Sequence, residues 1–451
     1  MLVLLGFLMI GVFMALIMTK RMTPILALII VPTVFGLFAG AGLGLGDMVM
    51  KAMKSMTSTA ALLMFAIMYF GLMIDVGLFD RLVRLIQRVS GNDPVKIVLG
   101  TAALAAAVSL DGDGSTTFIL TTAALLPIYR KLHMSPVVLT VVAGMANATM
   151  NIIPWGGPTA RAATALHLNV TDVFVPLVPA MAVTMVCVFA FAWHLGLLER
   201  RRLKAAFPDA WKGLNLVESR LPAAEAADER AAGMADGALD PNRSTLRPKL
   251  FWFNLLLTLA IMVLLVLDVM PLPVVFMIGV ALAIIVNFPH PKDQLDRVTE
   301  HGRSIVAVVG MVMAAAVLTG VLSGTGMVDA MAHWLVDVIP DQWGSHLPLI
   351  TGLLSIPLTF LMSNDAFYFG ILPILAQTAS QFGVDPASMA RASLTGQPFH
   401  LQSPLVPAIL LLVSLAGVEL GDHHRKVLWR SLVLSLVMLG VALLTGAVVS
   451  G

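Results

Sequence analysis

The side chains of this 451-residue chain that could bind or move charge gather in four short polar stretches set among apolar residues. Asp111 and Asp113 stand in Ser109-Leu-Asp-Gly-Asp-Gly-Ser115, and Asp365 closes Met362-Ser363-Asn364-Asp365. Arg161 ends Asn147-Ala-Thr-Met-Asn151-Ile-Ile-Pro154-Trp-Gly156-Gly157-Pro158-Thr159-Ala-Arg161. His400 lies in Thr395-Gly396-Gln397-Pro398-Phe-His400-Leu-Gln402-Ser403-Pro404. A carboxylate within apolar sequence is costly to bury and is usually functional. Two of them at i and i+2 in one turn repel, so one holds a proton or the pair shares a cation. Helix capping is the plain alternative for Asp111, Asp113 and Asp365 alike. An EF-hand calcium loop is excluded, because its sixth position is Thr116 rather than Gly and its closing Glu is replaced by Thr122.

Half-helices must carry the aspartates. Val95–Val108 and Thr116–Ile128 meet at the first cluster, and Leu347–Leu361 and Ala366–Ala376 meet at the second. A spanning helix takes about 20 residues, so each pair reads as a re-entrant hairpin. Irregular backbone at membrane depth survives only where protein or a water-filled cavity surrounds it. The glycines permit the turn, and Ser, Thr, Asn and Asp cap a returning half-helix whose free N–H groups attract an anion. The other two stretches break long helices. Pro158 suits the first position of a restarted helix, leaving the amides around Thr159 to face an anion. Arg161 either grips a substrate carboxylate or snorkels to the interface. His400 either carries a coupled proton or is a structural histidine. Asp75 reads as a structural hydrogen-bonding residue, His194 and Asp268 as interface residues, and His423 and His424 as part of a solvated loop. The 28 methionines show no short repeated spacing and serve as apolar filler.

Composition sets the class. Hydrophobic residues make up 58% of the chain and charged ones 12%, with a mean hydropathy of +0.91. Soluble domains carry about 25% charged residues, so a soluble enzyme, a nucleic-acid binder and a disordered protein are poor fits. The net charge of +2 implies no polyanionic partner, and the single cysteine, Cys187, excludes a disulfide framework or a Cys-based metal cluster. What remains is a polytopic membrane protein. Apolar stretches able to cross the ~30 Å hydrocarbon core recur at Met1–Met18, Pro24–Leu43, Thr57–Phe79, Val137–Leu166, Val173–Leu197, Leu250–Asp268, Leu272–Phe288, Ser304–Thr325, Ala390–Ala416 and Val427–Val449.

The first stretch lacks a basic leading region and is followed by Lys20 and Arg21, so it reads as a retained helix with its N-terminus outside. The positive-inside rule then places Arg81 to Lys96, Arg130–Lys131, Lys292–Arg303 and Arg425–Arg430 in the cytoplasm, with the C-terminus outside. Residues 199–249 lack apolar periodicity and read as a cytoplasmic linker between halves 1–198 and 250–451, a regulatory domain being the alternative. The halves share a pattern. Gly71 and Gly320, Gly77 and Gly326, Asp80 and Asp329, and Ser55 and Ser304 are each 249 apart, while Pro136/Pro386 and Pro154/Pro404 are 250 apart. The helices carrying the pattern run in opposite directions on this topology. Inverted repeats with a midplane site are widespread in secondary transporters, so a transporter for a small polar anion is expected. A channel does not need this symmetry, and an intramembrane hydrolase needs an acid dyad unlike two carboxylates in one turn.

Ser109 to Phe118, Pro154-Trp-Gly-Gly-Pro-Thr-Ala-Arg-Ala-Ala163, Ser363-Asn-Asp-Ala-Phe-Tyr-Phe-Gly370, Thr395-Gly-Gln-Pro398 and Leu415-Ala-Gly-Val-Glu-Leu-Gly-Asp422 together resemble the CitMHS family. These are citrate–divalent metal:proton symporters of the ion transporter superfamily. The resemblance implies an all-α, elevator-type fold like that of the divalent anion/sodium symporters, with two inverted repeats, hairpins near 95–130 and 346–380, about 11 spanning helices and a homodimer. An odd span count would place one terminus inside, against the ten spans above. Ser115, Thr116, Asn151, Gly157, Thr159, Ser363, Asn364, Thr395, Gln397 and Ser403 would then hold the metal–citrate complex with Arg161 assisting. Asp111, Asp113, Asp365 and His400 would handle protons or a coupled cation. No protein metal ligand is assigned and no permanent cofactor is expected. The metal, Mg²⁺, Ca²⁺ or a transition ion, travels with the cargo across a bacterial cytoplasmic membrane. Sodium-coupled relatives carry Ser-Asn-Thr at both hairpin tips, which this chain lacks. A sodium- or proton-coupled di- or tricarboxylate transporter without a metal is the alternative.

Overall fold

The structure is a computed structural model and describes residues 1–19, 21–90, 93–112, 114–206, 243–267 and 269–449. Lys20, Asp113, Asp268 and 207–242 of the expected linker therefore lie outside the described residues. Among those described, every regular element is a helix. The first half comprises α1 (Leu2–Met18), α2 (Pro24–Phe38), α3 (Leu45–Asp75), α4 (Asp80–Ser90), α5 (Pro94–Val108), α6 (Gly114–Lys131), α7 (Pro136–Met150), α8 (Gly157–Ala165), α9 (Val170–Phe174) and α10 (Val178–Ala206). The second comprises α11 (Phe251–Leu267), α12 (Leu272–Asn287), α13 (Pro291–Glu300), α14 (Gly302–Gly324), α15 (Met327–Val338) and α16 (Leu347–Leu361). A π-helical turn at Ala366–Ile371 follows, then α17 (Leu372–Gln381), α18 (Pro386–Leu394), α19 (Gln397–His400), α20 (Pro407–Ala416) and α21 (Leu420–Leu444).

Among the described residues, six helical segments are long and apolar enough to cross a membrane, and six further apolar helices are shorter. Two stretches expected as single spans are broken. Val137–Leu166 divides into α7 and α8, and Ala390–Ala416 into α18, α19 and α20. The cause is local: Pro154, Pro398 and Pro404 cannot continue a helical hydrogen-bond ladder. Gly156 leaves no alternative, since a Cβ there would lie 2.1 Å from the Asn151 carbonyl oxygen.

The ends of the expected linker are structured. Helix α10 runs on to Ala206, past the expected boundary at 198, and its Glu199 and Arg200 tie down the base of the first hairpin. Buried Glu199 accepts from the Ser135 amide at 3.0 Å, and Arg200 reaches both oxygens of Asp93 at 2.6 and 2.7 Å. At the other end, Arg243 grips both oxygens of Asp80 and donates to the Asp75 carbonyl, while Thr245 donates to the same carbonyl. The residues entering the second half are thereby pinned to the end of α3. The Asp75 side chain pairs with Arg297 and His301, in keeping with the structural role expected of it.

Helices α3 and α14 pack along their length. Gly320 and Gly324 face Met48 and Ala52 so closely that a Cβ on Gly320 would meet the Met48 carbonyl oxygen at 2.8 Å. Helix α12 lies on α3, and α2 lies on α14. Each hairpin begins on the broken helix of its own half, α5 on α7 and α16 on α18. Its returning arm then crosses over: α6 packs on α20, and the π turn packs on α8. Left-handed residues follow the same order. Gly77, His133 and His167 have φ of 84°, 54° and 55°, and Gly326, Gly383 and Gly417, displaced by 249, 250 and 250 positions, have 73°, 77° and 66°. His423 corrects an expectation. It is buried rather than solvated, because α21 starts at Leu420 and carries it between Thr140 and Gln402 at 3.1 and 3.2 Å.

Candidate functional site

The first hairpin tip is a 3-10 turn, Ser109–Asp111, followed by left-handed Gly112. A Cβ at Gly112 would meet Trp155 at 3.0 Å, so the tip lies directly against the break in the α7–α8 pair. Trp155 donates its indole N–H to the Leu110 carbonyl at 2.7 Å and stacks on Phe70 of α3 at 5.2 Å. Ser109 gives its one hydroxyl proton to the Ala105 carbonyl at 2.6 Å, so it accepts from Asn147 Nδ2 at 2.8 Å. Asn147 is thereby oriented, and its buried Oδ1 has no hydrogen-bond partner among the described residues. Asp111 is buried, Ser115 and Thr116 are partly exposed in the first turn of α6, and Asp113 lies outside the described residues.

The second tip repeats this design with different residues. Ser363 accepts from the Ala366 amide at 3.2 Å, capping the π turn that stands where an α-helical arm was expected. Turns of this kind are rare and frequent at functional sites. Asn364 Oδ1 accepts from Gln397 Nε2 at 3.1 Å, and the same amide reaches the Tyr368 hydroxyl at 2.9 Å. Gln397 is fully buried and its Oε1, like the Oδ1 of Asn147, lacks a partner among the described residues. In each half an amide from the broken helix holds the hairpin tip through nitrogen and leaves an oxygen unsatisfied. Buried polar atoms are nearly always paired. A carboxamide oxygen kept open suits a hard cation or a donor on a ligand.

Arg161 bridges the halves. Its Nε donates to Asp365 Oδ1 at 2.5 Å, with side chains 24% and 11% exposed. The guanidinium is therefore turned inward to the second hairpin. Gly157 gives it room, since a Cβ there would lie 2.6 Å from Arg161 Nη1. Arg161 makes no other hydrogen bond among the described residues, so both Nη groups remain available for an anion. Leu411, displaced 250 positions from Arg161, is apolar, so the second half does not repeat the arginine.

Other candidates close the ends of the breaks. Buried Thr159 donates to the Ile152 carbonyl at 2.6 Å and buried Thr395 to that of Ala392 at 2.7 Å. Ser403 donates to the Phe360 carbonyl at 2.6 Å and accepts from the Leu405 amide, while the Nδ1 of buried His400 is bonded to the Thr359 carbonyl. The three hydroxyl protons and the His400 Nδ1 are thus committed to backbone carbonyls. Asn151 is partly exposed at the first break. Sequence reasoning missed Asn147 and Trp155 as positioning residues, although Asn147 lies one helical turn before Asn151 and 250 positions before Gln397.

The family model described as "Citrate transporter" (CitMHS) matches residues 2–396. A protein of Bacillus subtilis (strain 168) called "Citrate transporter" is 48% identical over 448 residues, covering 99% of this chain and 100% of its own. A second from the same strain, "Mg(2+)/citrate complex secondary transporter", is 46% identical over 449 residues, covering 99% of each. Among solved structures, the YdaH transporter of Alcanivorax borkumensis aligns with a TM-score of 0.48 at 13% identity, covering 88% of this chain and 86% of that one.

Proposed function

The chain belongs to the CitMHS citrate transporter family, whose members are transporters and not enzymes, and from that premise we propose that it carries citrate bound to a divalent metal ion together with protons. The observation that carries this reading is the Arg161–Asp365 pair. A citrate trianion holding one divalent ion has one net negative charge. With Asp365 ionised, Arg161 is already neutralised by its neighbour. A proton on Asp365 removes that competing carboxylate and leaves the guanidinium, through its free Nη groups, to a carboxylate of the cargo. Proton and anion thus favour each other's binding, which is the coupling that symport requires.

The hairpin tips and breaks supply the remaining contacts. Ser115, Thr116, Asn151, Ser363 and Asn364, all partly exposed, face the cargo, with Asn147 and Gln397 offering open amide oxygens to its metal or hydroxyl. The shared offset of the left-handed residues and the mirrored packing of α2 on α14 and α12 on α3 support reading the halves as inverted repeats. Labelled citrate uptake into proteoliposomes under an inward proton gradient tests the reading, with EDTA, Mg²⁺, Ca²⁺ or Zn²⁺ supplied in turn. Uptake should need both a metal and the gradient. Uptake that persists in EDTA and follows a sodium gradient instead overturns it.

A further inference from the structure

A cavity of about 530 Å³ opens between the N-terminal part of α3, the C-terminal part of α14 and the turn after α8. Its polar lining is Asp47, Lys51, Ser55, His167, Thr319 and Ser323, none of them among the residues assigned to the citrate site. The size falls within the range of small-molecule pockets. Asp47 and Lys51 have no hydrogen-bond or ion-pair partner among the described residues. A purely anionic solute would meet the Asp47 carboxylate, and a purely cationic one the Lys51 ammonium. A solute carrying both a cation and an uncompensated carboxylate satisfies both.

His167 marks this cavity as more than a packing gap. Its backbone is left-handed, φ 55°, where the position 250 residues on is Gly417. Glycine is the residue most at ease there, although histidine also adopts this conformation. Ser55 gives its hydroxyl proton to the Ala52 carbonyl at 2.7 Å, so it accepts from His167 Nδ1 at 3.0 Å. The neutral ring then carries its proton on Nδ1 and leaves Nε2 as an acceptor for a hydrogen bond from a cargo hydroxyl or a metal-bound water. The same stretch of chain leads to the citrate site, because His167 follows Arg161 by six residues, less than two helical turns. Helix α14 packs against both α8 and the π turn.

We infer that this cavity is an antechamber that binds the metal–tricarboxylate complex before it reaches Arg161, with Asp47 facing the metal, His167 a hydroxyl or metal-bound water of the complex, and Lys51 a free carboxylate. This rests on the metal–citrate reading above. The test uses Lys51→Cys in a Cys187→Ser background, reconstituted and exposed to a charged, membrane-impermeant thiol reagent. Magnesium plus citrate should slow labelling at least fivefold, while magnesium alone or citrate in EDTA should not. In parallel, Lys51→Ala and His167→Gly, the latter tolerated by its left-handed backbone, should raise KM for magnesium–citrate about fivefold with little change in maximal uptake. Equal labelling with and without the complex, alongside unchanged KM in both variants, overturns the antechamber while wild-type metal-dependent uptake leaves the parent reading intact. Wild-type uptake indifferent to metal overturns both.

Discussion

Arg161 and Asp365 stand 204 positions apart, in opposite halves of the chain, and their side chains meet at 2.5 Å. The pair places a fixed cation with open donors beside a carboxylate, and in the proposed mechanism anion binding and protonation share that one contact.

Replacing Arg161 by Gln removes the charge and the forked donors together. KM for magnesium–citrate should rise at least tenfold, equivalent to about 1.4 kcal/mol. Arg161→Lys should restore little, because an ammonium cannot donate to Asp365 and to a second carboxylate with the same planar geometry. Uptake kinetics of both variants, showing wild-type KM in either, would contradict the assignment.

Gly157→Ala separates helix stability from site geometry. Alanine favours a helix over glycine by up to about 1 kcal/mol, so thermal stability in detergent should hold or rise. The added Cβ nevertheless falls 2.6 Å from Arg161 Nη1 and must push the guanidinium aside. Citrate affinity should drop severalfold in a protein that melts no earlier than wild type.

Asn147→Leu and Gln397→Leu each remove a tip-holding donor and an open amide oxygen while nearly keeping volume. Each lost hydrogen bond costs about 1 kcal/mol of stability, a modest fall in melting temperature. Transport should fall far more, at least a hundredfold, and magnesium–citrate should no longer stabilise either variant against heat. A variant that transports normally and is still stabilised by the complex would show that the open oxygens serve no cargo.

The base of the first hairpin gives a pH prediction. Partial burial raises the Asp93 carboxyl, but hydrogen bonding by Arg200 and the Val95 amide, with the charges of Arg200 and Lys96, outweighs it and holds the group below its ordinary value. Its contribution to stability is present above the unfolded pKa of about 3.9 and is lost as pH falls through the lower folded value. Asp93→Asn should therefore melt earlier than wild type at neutral pH. The gap should close below about pH 4; a gap that widens there contradicts the ion pair.

What the sequence revealed followed from residue type. Short apolar runs around Asp111 and Asp365 read as hairpins, and Pro154, Pro398 and Pro404 marked the breaks, because glycine, proline and buried carboxylates leave few alternatives. Partnership across the halves was hidden. Nothing local to Arg161 names Asp365, and both earlier readings of the arginine lacked a protein partner. The π turn after Asp365 was also illegible, since its residues Ala366-Phe-Tyr-Phe-Gly-Ile371 suit an α-helix equally well. His423 was misplaced because Glu419-Leu-Gly-Asp422 has the polarity of a loop, whereas these residues form the first turn of α21. His167 could not be flagged at all, for only the backbone shows that a histidine occupies a site suited to glycine.

The most direct test of the account follows protons and citrate together. Proteoliposomes loaded with a pH-sensitive dye would receive magnesium–citrate with no imposed gradient, and labelled citrate entry would be counted alongside. Wild-type protein should acidify the lumen in fixed proportion to citrate entry. Asp365→Asn should still exchange internal for external citrate but acidify the lumen far less per citrate. Lumenal acidification at the wild-type ratio by Asp365→Asn would show that the proton travels elsewhere and that the Arg161–Asp365 pair does not couple it.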